Sequence, residues 1–439
     1  MAILSEQEAK KLIDKIISYS KADEISVTLN GGRTGNIRYA RNTVSTNGET
    51  DNLSYSITSV FGKRAGTATG NEFDDATLEK TVRRSEEVAR LAPENPEYMP
   101  VLGPQQYQKG LNFSEASAKI DPLFRVDAAL ASIQACIATK TTAAGYLEDT
   151  AGFVAIGNNK GLFGYNRATG GEFTVTARTA DEKGSGYGVS YFTDAASLDT
   201  KSATEIAIKK AIASKDAKEL KPEKMTVVLE PQAAYDLISL LVNAMDARGA
   251  DEGRNFFGKR GGGNRIGSQL FSDKVTILSD PFSSENPSRP FAGDGRPQQK
   301  TAWVENGVLK ALPYSRFWAQ QKGVQDAPPP PDGFIMQGTE QSLDDLIKGT
   351  ENGILVTRFY YIRLVDPQTL VFTGLTRDGT FLIKNGEVQG AVKNFRFNES
   401  PANMLVNLEA MGKPVRIGDS MVPPMRIKDF NFTSLSDAV

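Results

Sequence analysis

The amino-acid sequence predicts an α+β protein with N-terminal helix and β-meander units, followed by a large β-rich C-terminal domain. Three observations predict this class. Helical and alternating-strand patterns succeed each other twice in the first half of the chain, short strands dominate from about residue 270 onward, and few helices interrupt them. We expect the C-terminal strands to form a barrel-like or curled sheet.

The first unit, residues 1–92, is predicted to contain a helix, a meander and a second helix. Ser5 and Glu8 have the spacing of a capping box, and apolar residues then recur at helical intervals. Alternating β-branched segments over 24–68 predict an antiparallel meander. Asp74 is placed to cap the second helix.

The next stretch, residues 93–120, contains four prolines and little periodicity, so it is predicted to be a linker or a wrapped connection. The middle unit, residues 121–220, repeats the order helix, strands, helix. Its first helix begins at Asp121, with proline at the first helical position. The apolar stripe of that helix is predicted to consist of Val126, Leu130, Ile133 and Ile137.

The third segment, residues 221–439, is predicted to be a β-rich domain around a central helix over 231–247. That helix follows the short apolar strand MTVVLE and begins with proline. A further helix is predicted near 341–348. In the strand 358–363, strict alternation places Arg358, Tyr360 and Ile362 on one face and Phe359, Tyr361 and Arg363 on the other.

Composition excludes several classes of function. The 439 residues carry a formal charge of -2, which provides no basic field for nucleic acid or an anionic membrane surface. The chain contains no histidine, so imidazole-ligated zinc and hydrolases with a histidine base are excluded in their usual form. The one cysteine, Cys136, fits a reducing compartment, and no signal peptide or membrane-spanning segment is recognised. We therefore expect a cytoplasmic protein that binds neither membrane nor nucleic acid.

Two groups of residues are candidate substrate-binding residues. The first group crowds the end of the predicted central helix, where it would form a polar pocket for a charged substrate terminus or an oxygen-ligated metal, with a structural ion-pair network as the alternative. The second group contains the polar or amphipathic members of apolar strands. We expect a ligand groove between the two. The first group is Asp246, Arg248, Glu252 and Arg254, with Asp251 beside them, and the second is Tyr361, Arg363 and Arg377.

Two other segments have a structural and a functional interpretation. The glycine-rich basic loop 258–267 has the composition of an anion nest, but it lacks the spacing of a phosphate-binding loop, so a flexible surface loop is favoured. The four prolines of 328–331 predict polyproline II, and a rigid spacer is favoured over a signalling ligand.

The order of motifs resembles the TldD/PmbA family over nearly the whole chain. The third segment carries most of this resemblance, in VVLEPQAAYDLISLLVNAMDARGADEGR, KVTILSDP, ENGVLKALPYSRFWAQQKG, the long block from Gly353 to Pro401, and PPMRIKDFNFTS. The N-terminal stretch LSYSITSVFGKRAGTATGNEFDDATLEKTVRRSEEVA is also similar to the family's first domain.

The resemblance implies a protein of peptide processing. In the catalytic branch, a helix of the third domain carries HExxxH and a C-terminal cysteine completes a metal site, giving a peptidase for unfolded or leader peptides. Here the corresponding helix reads LISLLVNAMD over 237–246, and no cysteine follows Cys136. The chain therefore resembles the metal-less PmbA-like branch, also called TldE, for which we expect no metal, cofactor or catalytic residue.

Three hypotheses follow from this resemblance and from the composition. The first is a non-catalytic subunit of a zinc peptidase, forming a heteromer with an HExxxH-bearing paralogue. The second is a free-standing homodimeric hydrolase with a non-metal site. The third is a regulatory or binding protein.

Overall fold

The computed structural model describes residues 3–436. Its first half is one six-stranded antiparallel sheet with helices on one face. The chain begins with α1 (Glu6–Ser18), β1 (Glu24–Ala40), β2 (Thr43–Phe61), β3 (Arg64–Gly70) and α2 (Asp75–Leu91). It continues with α3 (Pro122–Ala138), β4 (Thr141–Asn158), β5 (Phe163–Thr179), β6 (Ser185–Phe192) and α4 (Thr200–Ala213). The strand order is β3-β2-β1-β4-β5-β6, so β1 and β4 form the seam between the two predicted units.

The helix starts follow the local sequence. The Ser5 side chain accepts a hydrogen bond from the Glu8 N–H, and the Glu8 carboxylate accepts one from the Ser5 N–H, which confirms the predicted capping box. Asp74 and Asp121 cap α2 and α3 in the same way, through the N–H groups of Thr77 and Phe124.

The helices cover one face of this sheet because alternate residues of each strand are apolar. On β1, Ile25, Val27 and Leu29 pack against α1 and α2, whereas Ile37 and Tyr39 pack against α3 and α4. The opposite face carries serine, threonine, asparagine and glycine, and part of it faces the C-terminal half of the chain. This polar face contributes to the site described below.

The C-terminal half is built around a closed five-stranded barrel. The ring runs β12-β7-β19-β15-β13 and closes through antiparallel pairing of β12 with β13. Its interior is apolar and aromatic, with Phe359, Phe395, Phe397, Phe430 and Phe432 among the buried residues. The α+β class and the barrel-like C-terminal sheet are therefore confirmed. The barrel strands are β7 (Lys224–Leu229), β12 (Asn352–Asp366), β13 (Val371–Lys384), β15 (Phe395–Glu399) and β19 (Met425–Leu435).

A second six-stranded sheet and several short helices lie around the barrel. The sheet has the order β10-β9-β8-β11-β18-β17. Its strands are β8 (Ile277–Ser279), β9 (Thr301–Glu305), β10 (Val308–Leu309), β11 (Ile335–Met336), β17 (Val415–Ile417) and β18 (Ser420–Val422). The remaining elements are α5 (Pro231–Asn243), α6 (Ala247–Asp251), α7 (Arg316–Lys322), α8 (Leu343–Lys348), β14 (Glu387–Ala391), α9 (Pro401–Val406) and β16 (Leu408–Met411).

The stretch 93–120 is packed along the surface. Tyr98 donates a hydrogen bond to Glu24, and Tyr107 donates one to the Gly295 carbonyl at 2.6 Å. This segment therefore connects the N-terminal sheet to loops of the C-terminal half.

Three local predictions are wrong. The central helix ends at Asn243 rather than 247, because Asp246 leaves helical geometry to cap α6. Leu130 and Ile137 on α3 are exposed, because the helix instead turns Arg125 and Cys136 toward the sheet. The alternation of side chains on β12 fails at Tyr361, where a β-bulge inserts an extra residue.

Among the described residues, no helix is long and apolar enough to span a membrane.

Candidate functional site

Helix α5 borders a cleft of about 620 Å³, here called the α5 cleft. One side of the helix, including Leu237, Ile238 and Leu241, is buried in the largest apolar core. The other side presents Tyr235, Ser239 and other residues to the cleft. The helix is therefore held rigidly by its apolar side while its polar side remains accessible.

The remaining walls of the α5 cleft are loops held in place by Arg296. Its guanidinium donates to the carbonyls of Ala327 and Tyr314 at 2.9 and 2.8 Å and to Asp294 at 2.8 Å. Four carboxylates line the cleft against this single guanidinium, which gives a formal charge of -3. The four are Asp246, Asp294, Asp332 and Asp419.

A second cleft, of about 570 Å³, lies between the polar face of the N-terminal sheet and the C-terminal half; we call it the sheet cleft. Its floor includes Gly31, Gly32 and Gly152 at the β1–β4 seam. A Cβ atom on Gly32 would lie 2.7 Å from the Ala151 carbonyl oxygen, so the two strands approach too closely there for a side chain. The floor is consequently flat and lined by backbone.

Four asparagine side chains line the sheet cleft, and none has a hydrogen-bond partner among the described residues. They are Asn30, Asn52, Asn112 and Asn166. Asn166 is only 6% exposed, and the Asn112 Oδ1 atom is fully buried. Because buried polar groups are normally hydrogen-bonded, the Asn112 Oδ1 atom and the Asn166 side chain indicate a site for a polar ligand, and the exposed Asn30 and Asn52 lie beside them.

Two arginines of the sheet cleft also retain unused donors. Arg33 binds Asp149 at 3.3 Å and Arg289 binds Asp332 at 3.2 Å, yet the Nε atom of each is buried without a partner. Burial and the neighbouring Asp419 raise the pKa of Asp332, an effect that Arg289 partly offsets. Asp332 and Asp419 line both clefts, so the sheet cleft and the α5 cleft meet at these two carboxylates.

A buried carboxyl lies near the start of α5, where the sequence analysis did not place a site. Asp236 accepts hydrogen bonds from the Phe359 N–H at 2.8 Å and from Gln232 Nε2 at 2.9 Å. Burial raises the pKa of Asp236 to about 6, and the hydrogen bonds and Arg358 oppose that rise. The sequence feature that could have identified this residue is a single carboxylate within the apolar run AAYDLISLL.

The first predicted group forms an ion-pair network at the surface. Arg248 binds both carboxylate oxygens of Glu97 at 2.8 and 2.9 Å and also binds Glu252 at 3.0 Å. Arg254 binds the other oxygen of Glu252 at 2.7 Å. Asp246 differs from these three because it caps α6 through the Gly249 N–H and lines the α5 cleft.

The second predicted group lies on the β12–β13 hairpin. The Arg363 guanidinium lies 4.4 Å from the Tyr361 ring centre, and the Arg377 guanidinium lies 4.3 Å from that of Tyr360. Among the described residues, no hydrogen bond, ion pair or cation–π contact joins this group to the first. The structure therefore brings the predicted residues together as two separate groups.

The two ambiguous segments also have defined positions. The glycine-rich loop 258–267 borders an open depression of about 810 Å³, and its backbone closes on itself through the Lys259 N–H and the Gly263 carbonyl. Pro330 and Pro331 form part of the wall of the α5 cleft, so the proline run contributes to the site.

The residues do not fit the metal site that the resemblance implies for the catalytic branch of the family. The α5 cleft receives Tyr235, Ser239 and Asn243 from the helix, and the chain has no imidazole. Cys136 lies on α3 with its side chain buried in the core between that helix and the sheet. Within residues 3–436, no three carboxylates or thiols are close enough together to bind a metal ion.

Comparison with known families covers most of the chain. Models of the PmbA/TldA metallopeptidase family match residues 26–89 as domain 1, 113–215 as the central domain and 222–434 as the C-terminal domain.

Two similar proteins of known sequence match part of the chain. An uncharacterised protein of Methanocaldococcus jannaschii is 33% identical over 135 residues, and a metalloprotease TldD homologue of Buchnera aphidicola is 26% identical over 172 residues. These alignments cover 28% and 36% of this chain and 31% and 35% of the relatives, so the chain matches about a third of the length of each.

Two solved structures share the fold over almost the full length. TldE from Thermococcus kodakarensis has a TM-score of 0.86 at 16% identity, with 97% of this chain and 99% of that chain covered. A Bacteroides thetaiotaomicron protein named for modulation of DNA gyrase has a TM-score of 0.86 at 19% identity, with 99% and 100% covered.

Proposed function

Because the chain belongs to the TldD/PmbA family, we propose that it is a peptide-binding subunit of a proteolytic complex whose catalytic centre is supplied by an HExxxH-bearing paralogue. The observation that carries this proposal is the row of unpaired carboxamides in the sheet cleft. Relatives named as metalloproteases support the link to proteolysis. The absence of imidazole from the chain supports a non-catalytic role.

An asparagine side chain complements a peptide unit, since its oxygen accepts from N–H and its NH₂ donates to C=O. Asn30, Asn52, Asn112 and Asn166 can therefore hold an extended main chain whatever its side chains. The flat glycine floor leaves room for such a chain, and the cleft has no net formal charge. These properties suit an unfolded peptide of varied sequence.

The α5 cleft, which continues from the sheet cleft, suits a positively charged part of the same peptide. Its formal charge of -3 favours an N-terminal ammonium or a basic side chain over an acidic one. We also propose a cytoplasmic location, since the one thiol, Cys136, is free and lies in an apolar core.

A free-standing hydrolase is the second candidate, and Asp236 is the observation that favours it. A carboxyl with a pKa of about 6 can both donate and accept a proton near neutral pH. This alternative predicts peptide hydrolysis by the purified chain alone.

The first experiment measures binding of a fluorescein-labelled unstructured 12-residue peptide to the purified chain. We expect Asn30→Ala and Asn52→Ala each to weaken binding by about 0.5–1.5 kcal/mol, the usual contribution of a hydrogen bond. Asn47→Ala is the matched control, because Asn47 is exposed on the same strand as Asn52 but lies outside the cleft. A peptide with N-methylated amides should bind weakly, whereas scrambling its sequence should change little.

The second experiment follows cleavage of the same peptide with and without the paralogue. We expect cleavage only in the mixture. Cleavage by the chain alone that is lost in Asp236→Asn would establish the second candidate. Peptide binding that is unaffected by both cleft variants would contradict the assignment of the sheet cleft.

A further inference from the structure

The exposed segment Tyr360–Val365 of β12, here called the β12 rim, is the largest run of solvent-facing apolar side chains along one strand of the barrel. Tyr360, Tyr361, Leu364 and Val365 are 45%, 59%, 53% and 58% exposed. Four such residues within six positions concentrate exposed apolar side chains on one short segment, a feature that marks interaction sites.

Arginines without a full carboxylate partner border this apolar surface. The Arg363 guanidinium donates only to the Ile362 carbonyl, at 3.0 Å, and no described carboxylate pairs with it. The carboxylate nearest to Arg377 is Asp378, whose Oδ2 lies 3.9 Å from it and already accepts from Arg358 at 2.6 Å. The rim thus presents unneutralised positive charge beside apolar groups.

The arrangement of these side chains favours a protein over a nucleic acid. The two tyrosine rings lie 6.4 Å apart, and each has a guanidinium over one face, Arg377 over Tyr360 and Arg363 over Tyr361. A nucleobase would need those faces for stacking. Tyrosine and arginine are also the residues most enriched at the energetic centres of protein interfaces.

The backbone of the rim is open to a partner strand. β12 pairs with β7 only as far as Val356, and Phe359 donates its N–H to Asp236. Beyond that point the described residues pair the rim with β13 alone. Tyr361 has a φ of 54°, an unfavourable conformation for a bulky residue, and its exposed side chain has little packing to stabilise it.

We propose that the β12 rim is the docking surface for the HExxxH-bearing paralogue, which contributes carboxylates to Arg363 and Arg377 and an apolar surface to Leu364 and Val365. This inference rests on the proposed function, because it names the partner's contact surface. A second copy of the chain is a poorer occupant, since residues 360–365 contain no carboxylate that could pair with Arg363 in a two-fold contact between two rims.

The test is the affinity of the chain for the paralogue encoded in the same genome, measured by analytical ultracentrifugation. We expect Arg363→Glu and Leu364→Asp each to weaken the complex at least tenfold. Val388→Asp is the matched control, because Val388 is a comparably exposed apolar residue (44%) on β14, outside the rim, and it should change affinity less than twofold. Raising the salt concentration should weaken the wild-type complex more than the Arg363→Glu complex.

The melting temperature of each variant verifies that it folds. If Leu364→Asp does not fold, Tyr361→Gly replaces it, because this substitution removes an exposed ring without straining the backbone. A complex that forms with unchanged affinity in the rim variants would overturn the docking surface and leave the proposed function intact. Loss of a homodimer in those variants would assign the rim to a second copy instead. If no complex forms and the paralogue adds no peptide cleavage, both proposals are wrong.

Discussion

Replacing Asp236 with asparagine is expected to change the pH dependence of stability. The side chain accepts two hydrogen bonds, from Phe359 N–H and Gln232 Nε2, yet burial still raises its pKa from an ordinary 3.8 to about 6. The folded state therefore binds this proton more tightly than the unfolded state does. The stabilising effect is complete below pH 3.8 and is lost as the pH rises through about 6.

The size of the effect follows from the two pKa values. A change from 3.8 to about 6 corresponds to about 3 kcal/mol of unfolding free energy lost between low and neutral pH. Asparagine stays neutral throughout this range. After a flip of the Gln232 amide, the NH₂ group of the asparagine can donate to Gln232 Oε1. This oxygen is buried without a partner in the wild type.

We expect Asp236→Asn to match the wild type near pH 4 and to be more stable by about 1–3 kcal/mol at pH 7.5. Urea unfolding at half-unit intervals from pH 4 to 8 measures this difference. Asp127→Asn is the control, because Asp127 is exposed and makes no described hydrogen bond or ion pair. A difference between Asp236→Asn and wild type that does not vary with pH would refute the argument.

Two further predictions concern the core of the N-terminal sheet and the metal content. Arg125→Met should lower the free energy of unfolding by about 3 kcal/mol, because it removes the guanidinium that binds Asp149 at 2.6 Å and leaves this buried carboxylate with Arg33 alone, at 3.3 Å. Urea unfolding measures the loss. Lys10→Met is the control, because Lys10 forms an exposed ion pair whose removal should have a small effect. A decrease in unfolding free energy below about 1 kcal/mol for Arg125→Met would contradict the reasoning. After chelator washing, elemental analysis of the purified chain should give less than 0.1 zinc ion per chain. The reason is that a chain with one thiol and without imidazole cannot complete a tetrahedral zinc site. Stoichiometric zinc would show that other ligands suffice.

Local interactions made much of the fold predictable. Ser5 with Glu8, Asp74 and Asp121 start their helices through bonds to residues three positions away, so spacing alone identified them. The barrel was predictable as a class because its strands alternate or are continuously apolar.

Long-range interactions decided what the sequence could not predict. Arg125 turns α3 toward carboxylates that lie 24 and 76 residues away in the chain, which is why the apolar stripe was assigned to the wrong face. The sheet cleft draws its carboxamides from β1, β2, β5 and the 93–120 segment, and only the strand order brings them together. The bulge at Tyr361 depends on its pairing with β13, so no alternation rule would identify it.

The seam between β1 and β4 has a consequence for biosynthesis. β1 emerges from the ribosome together with β2, but its other edge pairs with β4, whose last residue in the register is Asn158. About a hundred residues separate the end of β2 from the end of β4, and the ribosome needs about 5–20 s to translate them at ordinary rates. During that time a 17-residue strand exposes half of its hydrogen-bonding groups. The nascent chain is therefore most prone to misassociation in this window, and a chaperone that binds extended strands with one apolar face would act there.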